Sequence, residues 1–217
     1  MIMFIAGILL LLYIYDMLHK KLAVDAEITR KLAHFTSTAT TLVFPLLFTN
    51  HWYVLALAVV FFLLLLMSMN TRYLRSIHAI ERYSTGSFLL PPAIYLSFLI
   101  SLKTGQPVSF YMPIVILAVS DPLAGITGYF CKKNNPEIYL LSRNLHKTLF
   151  GSSAFFISSL ILCLAIFSIM SVHTRLSIGL ASLCIASIST LTELLSTKGT
   201  DNLTVPLVVI LTISLLI

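Results

Sequence analysis

The sequence predicts an all-α fold, a polytopic transmembrane helix bundle of about eight spans, as a single integral membrane domain over residues 1–217 with both termini extracytoplasmic. Three observations carry that expectation. Of the 217 residues, 58% are hydrophobic and only 10% are charged, whereas a soluble domain carries roughly a quarter charged. Apolar runs close to the roughly 20 residues needed to cross a bilayer recur along the chain. The basic residues fall in alternate gaps between those runs.

Taken in order, the predicted spans are 1–18, 32–49, 52–69, 88–102, 110–131, 149–170, 176–195 and 203–217. The first is kept as a span rather than a signal peptide. It has no basic stretch ahead of its apolar residues, and Asp16 to Lys21 do not resemble a small-residue cleavage site. The spans at 88–102 and 203–217 are short. The seventh, SIGLASLCIASISTLTELL, is sprinkled with Ser and Thr, a pattern that suits a helix inside a bundle, where hydroxyls find partners.

Twelve of the 14 Lys and Arg residues lie in the odd-numbered gaps. Lys20, Lys21, Arg30 and Lys31 are in the first, Arg72, Arg75 and Arg82 in the third, Lys132, Lys133, Arg143 and Lys147 in the fifth, and Lys198 in the seventh. Only Lys103 and Arg175 fall elsewhere. The positive-inside bias places the odd gaps in the cytoplasm. A net charge of +6 is accounted for in this way without nucleic acid, since no continuous basic face is left. Compact length and the lack of a targeting extension point to a bacterial or archaeal plasma membrane. Cys131, Cys163 and Cys184 have neither disulfide nor zinc spacing.

Polar groups within apolar spans are costly and therefore informative. Asp121 sits near the middle of the fifth span, in AVSDPLAGITGYF. Helical spacing lines it up with Gly125, Gly128 and Lys132, and the glycines leave room for a backbone or ligand. Pro122 is a candidate break in that helix. The alternative is a structural ion pair at Asp121 with small residues for packing. Glu193, near the end of the seventh span, is a second acid; a snorkelling surface position is its alternative. Gly199, Asp201 and Asn202 open the last span, where a turn and N-cap would also account for them.

Lys147, Thr148, Gly151 and Ser152 mark the start of the sixth span, where free backbone N–H groups suit an anionic phosphate. Positive-inside anchoring explains the same Lys. Arg30, Lys31 and His34 share a broad helix face and, with Lys147, form a cationic rim suited to a polyphosphate. A buried, satisfied His is the simpler reading of His34 alone. Together, Asp121, Lys147, Glu193 and Asp201 lie in the cytoplasmic half or at its boundary. Acids for Mg²⁺ and cations for phosphates thus converge on the side that contains nucleotides, which is what phosphoryl transfer requires.

The segments RKLAHF, VSDPLAGITGYF, HKTLFGSS and ELLSTKGTDNLTVPLV, in that order, resemble the CTP-dependent lipid-alcohol kinases, which include dolichol kinase, phytol kinase and the CTP-using diacylglycerol kinase of fungi. The resemblance spans about residues 28–210. It implies transfer of a phosphoryl group from CTP, or another nucleotide such as ATP, to the hydroxyl of a membrane lipid alcohol. By analogy Asp121 is the acid of the DxxA motif, Lys147 and Thr148 are the Lys-Thr pair, and Asp201 and Asn202 are the DN pair. Mg²⁺ and the nucleotide phosphates are expected among Asp121, Asp201 and Lys147. Arg30, Lys31, His34, Thr148, Gly151 and Asn202 are the expected further contacts. Asp121 or Glu193 is the expected general base. Phe150 stands where the family carries Glu, a departure that bears on nucleotide choice and level of activity.

A phosphatidate cytidylyltransferase also uses CTP and a membrane-embedded Asp, but the DNLTVP ending and short length favour the kinase. A small ion-coupled transporter would explain an intramembrane Asp, yet no matched, interrupted half-repeats are visible. A membrane scaffold leaves Asp121 unexplained.

Overall fold

The computed structural model describes residues 4–7, 10–11, 13–14, 17, 26–69, 85–131, 136–140 and 143–217. The described residues between 4 and 17 are helical. The remainder of the predicted span 1–18 lies outside the described residues, as do Lys20, Lys21, Arg72, Arg75, Arg82, Lys132 and Lys133.

The chain is mostly helical. Helix α1 covers Ala26–Thr40, followed by a 3₁₀ turn at Thr41–Val43 and the short α2 at Phe44–Leu47. Then come α3 (His51–Met69), α4 (Gly86–Thr104) and α5 (Val108–Phe130). Strands β1 (Glu137–Leu140) and β2 (Arg143–Thr148) precede α6 (Leu149–Ile169), α7 (Ile178–Leu195) and α8 (Asp201–Leu216). Among the described residues, four helices, α4 to α7, are long and apolar enough to cross a membrane, and α3 and α8 contribute shorter apolar stretches.

Three expectations need correction. The predicted span 32–49 begins at Ala26, because the polar AEITRK segment consists largely of good helix formers. It does not run straight through to 49. Pro45 has no N–H for Thr41 and its ring crowds that carbonyl, so the regular helix ends at Thr40. The fifth gap is not plain loop, and the fold is not purely helical. β1 and β2 pair antiparallel, with Glu137 opposite Thr148, Leu140 opposite Arg143 and an irregularity between Glu137 and Tyr139. Finally, Pro122 does not break α5, which is continuous from Val108 to Phe130; helices in apolar surroundings tolerate Pro where neighbouring elements re-satisfy the backbone.

Helix α5 is the centre of the structure and packs against α1, α4, α6 and α8. Its two sides feed two cores. On one side Met112 and Ile116 meet Phe155 and Phe167 of α6, Ile185 of α7 and Val205, Val209 and Ile213 of α8. On the other, Phe110 and Ile114 meet Phe44, Val54, Leu57, Ile94 and Phe98. Much of the remaining apolar surface faces outward, including Ile157, Ile161 and Ile169 of α6, as lipid contact requires.

Candidate functional site

In this connectivity the C-terminal half of α5, the N-terminus of α6, the C-terminus of α7 and the N-termini of α1, α4 and α8 meet at one end of the bundle. The buried charged side chains Lys31, Asp121, Glu193 and Asp201 lie there. Asp121 is 8% exposed. Lys31 of α1 donates from Nζ to Asp121 Oδ2 at 2.9 Å and reaches the Asp121 carbonyl at 3.4 Å. His34, one turn further along α1, places Nε2 3.3 Å from the Leu117 carbonyl and 3.8 Å from Asp121 Oδ2. A carbonyl only accepts, so in this contact Nε2 carries the hydrogen.

The glycines explain how these groups come so close. A Cβ on Gly125 would strike the Lys31 side chain and stand 2.9 Å from its Nζ. One on Gly128 would lie 3.0 Å from Thr148 Oγ1, and one on Gly151 would lie 2.9 Å from the Ala124 carbonyl. The face carrying Asp121, Gly125 and Gly128 therefore receives Lys31 and the end of β2 at close range; Lys132 lies outside the described residues.

A second cluster forms around Lys147, which β2 directs towards α7 and α8. Its Nζ donates to Glu193 Oε1 and, at 3.2 Å, to Asp201 Oδ2. Burial alone would depress the Lys147 ammonium. Glu193 and Asp201, with a further contribution from Asp121, outweigh burial and raise its pKa above the ordinary lysine value. The end of β2 brings the two clusters together, since Thr148, next to Lys147, lies against Gly128 two turns after Asp121 on α5, and three carboxyl groups there accept from two ammonium groups. Glu193 is 3% exposed, so it does not snorkel, and its Oε2 is buried with no hydrogen-bond partner among the described residues. Ser120 Oγ, beside Asp121, is likewise buried without a partner among them.

The remaining expected residues serve the frame more visibly than the site. Thr148 caps α6, its Oγ1 accepting from Gly151 N at 3.3 Å. Asp201 is not the N-cap of α8; Thr200 holds that position, and Asp201 Oδ1 accepts from Asn202 N at 3.1 Å. Asn202 Nδ2 donates to the Gly86 carbonyl at 2.8 Å. Arg30 is half-buried on α1, and Phe150 is exposed in the first turn of α6. Sequence reasoning missed Thr85 and Gly86. Thr85 donates from both N and Oγ1 to the Lys198 carbonyl, at 2.8 and 2.9 Å, and a Cβ on Gly86 would lie 3.3 Å from Gly199 Cα. The only signal was a lone Gly opening an apolar run.

Among the described residues, no group of three or more His, Cys, Asp or Glu side chains forms a metal cage. The donor chemistry fits Mg²⁺ in a narrower sense. Mg²⁺ is commonly held by one or two carboxylates with substrate phosphates completing the shell, and Asp121, Asp201 and the unpartnered Glu193 oxygen are donors of that kind. The cations suit phosphate oxygens, and the carboxylates suit proton acceptance. Comparison with protein-family models, curated protein sequences and solved structures finds no match for this chain.

Proposed function

We propose that this chain is a nucleotide-dependent lipid-alcohol kinase of about eight spans, with both termini extracytoplasmic and its site at the cytoplasmic face of a plasma membrane. CTP is the nucleotide to which the motif resemblance points, with ATP as the alternative. One observation carries the reading. Lys31, Asp121, Lys147, Glu193 and Asp201, from five separated stretches of sequence, meet in one buried polar site at one end of an apolar bundle. A purely structural bundle has no need of five such groups in one place, because buried ion pairs are weak sources of stability.

In this reading Asp121 and Asp201 would hold Mg²⁺, whose charge would offset that of the nucleotide phosphates. Lys147, Lys31 and His34 contact the phosphate oxygens. Lys31 exchanges Asp121 for phosphate as the nucleotide docks, freeing the Asp121 carboxylate. The acceptor oxygen forms a bond to the γ-phosphorus, the bond from that phosphorus to the bridging oxygen breaks, and the nucleoside diphosphate leaves. The hydroxyl proton passes to Asp121 or to Glu193, whose Oε2 has no competing partner among the described residues.

The test is purified protein in lipid nanodiscs with CTP or ATP and a panel of phytol, farnesol, polyprenols and diacylglycerol. A phosphorylated lipid with nucleoside diphosphate supports the proposal. A CDP-lipid with pyrophosphate identifies nucleotidyl transfer instead, and no lipid product from any pair overturns it.

A further inference from the structure

Asp201 enters the site from a turn that another helix holds in place. The connection between α7 and α8 reverses through two successive left-handed residues, Lys198 (φ 55°) and Gly199 (φ 86°). That conformation is easy for Gly and unfavourable for Lys, whose Cβ crowds the backbone. Soon after the turn, Asp201 presents Oδ2 to Lys147 Nζ at 3.2 Å, while its Oδ1 accepts from Asn202 N at 3.1 Å.

The start of α4 grips this turn on both sides. Thr85 donates from N and Oγ1 to the Lys198 carbonyl, at 2.8 and 2.9 Å. In return Asn202 Nδ2 donates to the Gly86 carbonyl at 2.8 Å. Gly86 lets the backbones approach, since a Cβ there would lie 3.3 Å from Gly199 Cα and from its carbonyl oxygen. Thr85 is the N-cap of α4, a place where a Thr hydroxyl usually accepts from an N–H of the first turn. Here the side chain makes no such capping bond. Its hydroxyl goes instead to Lys198, 113 positions away.

We propose that Thr85 is a positioning residue for Asp201: it fixes the Lys198 carbonyl, holds the left-handed turn, and so sets where the Asp201 carboxylate stands relative to Lys147. The geometric part stands by itself. Its consequence for turnover rests on the kinase reading, in which Asp201 would hold Mg²⁺. Groups that orient a metal-binding carboxylate typically change metal affinity or activity by about 10–100-fold when removed. Only a hydroxyl is required at position 85, so Ser should replace Thr there and the isosteric Val should not.

The experiment is thermal unfolding of the full chain in nanodiscs for Thr85→Val, Asp201→Asn and the double variant, with Thr85→Ser as the rescue. Val keeps the N–H and the shape and removes one donor, so Tm should fall by about 2–4 °C, with Ser close to wild type. In the Asp201→Asn background the same substitution should cost roughly 1 °C or more less, because the carboxylate it places is gone. With CTP and a lipid alcohol, Thr85→Val should raise the Mg²⁺ concentration for half-maximal turnover on the order of tenfold. The KM for the alcohol should not change, and Ser should restore the Mg²⁺ requirement. Additive Tm losses overturn the inference, and so does an unchanged Mg²⁺ requirement in Thr85→Val where Asp201→Asn raises it. Coupled losses without lipid product from any protein leave the positioning role standing and remove the kinase reading. If the Val variant does not fold, Thr85→Ala in the same cycle gives the same two outcomes.

Discussion

Gly125→Ala probes the site without touching a charge. Lys31 reaches Asp121 by passing its methylenes across Gly125, where a new Cβ would overlap the Lys31 side chain and stand 2.9 Å from Nζ and 3.2 Å from Cδ. The ammonium end must retreat by about half an ångström or more to reach ordinary contact distance, and the carbon before it must retreat further. A shift approaching ~1 Å takes the Nζ to Oδ2 distance out of hydrogen-bond range. Losing a hydrogen bond between charged groups costs about 1.5–3 kcal/mol, which lowers Tm by about 3–12 °C in a chain of this size. The assay is thermal unfolding in detergent followed by helical circular dichroism. A cycle with Lys31→Ala isolates the cause: once the lysine is truncated, Gly125→Ala should cost close to nothing. Equal cost in both backgrounds, or no cost in the parent protein, refutes the argument that Gly125 exists to let Lys31 reach Asp121.

Three substitutions probe the frame of the site. Lys147→Met leaves Glu193 and Asp201 facing each other without their cation and should cost about 3 kcal/mol, with Lys147→Arg recovering part of it. The raised Lys147 pKa means its stabilisation is fully present below the ordinary lysine pKa and fades as pH climbs through the higher folded value. The Tm gap between wild type and Lys147→Met should therefore stay level between about pH 7 and pH 9 and shrink only in strong alkali. Gly86→Ala should destabilise by about 1–3 kcal/mol, because its Cβ would lie 2.8 Å from Asn202 Nδ2 and 3.3 Å from the Gly199 backbone, which cannot move aside cheaply; an unchanged Tm contradicts that. Thr148→Ala should cost about 1 kcal/mol through loss of the α6 cap, with Thr148→Ser near wild type in the same measurement.

The later helices were legible because length and hydropathy leave few places for them to start and stop, and α3 to α8 begin and end within about two residues of the predicted spans. Helix α1 was less legible because its first turn and a half is polar, and a search for apolar runs starts too late. The strand pair was hidden for a related reason: β1 and β2 are short, with four and six residues, and neither carries a long alternating pattern. The meeting of Lys147, Glu193 and Asp201 could be expected because Lys and acids inside or beside apolar spans need partners. Which cation takes Asp121 could not, since Lys31 is 90 positions away and their pairing depends on how α1 crosses α5. Asn202 looked like a ligand contact, yet its Nδ2 secures α4 through Gly86, a backbone docking that no side-chain pattern announces.

The proposed reaction needs Asp121 to act on the reacting groups rather than only to pair with Lys31. The decisive measurement is transfer of γ-labelled phosphate from CTP to a lipid alcohol by wild type and Asp121→Asn, each checked for intact helicity. Wild type should yield labelled lipid phosphate, with a loss on the order of 10²-fold or more in the variant. Wild-type turnover by a folded Asp121→Asn protein would contradict it.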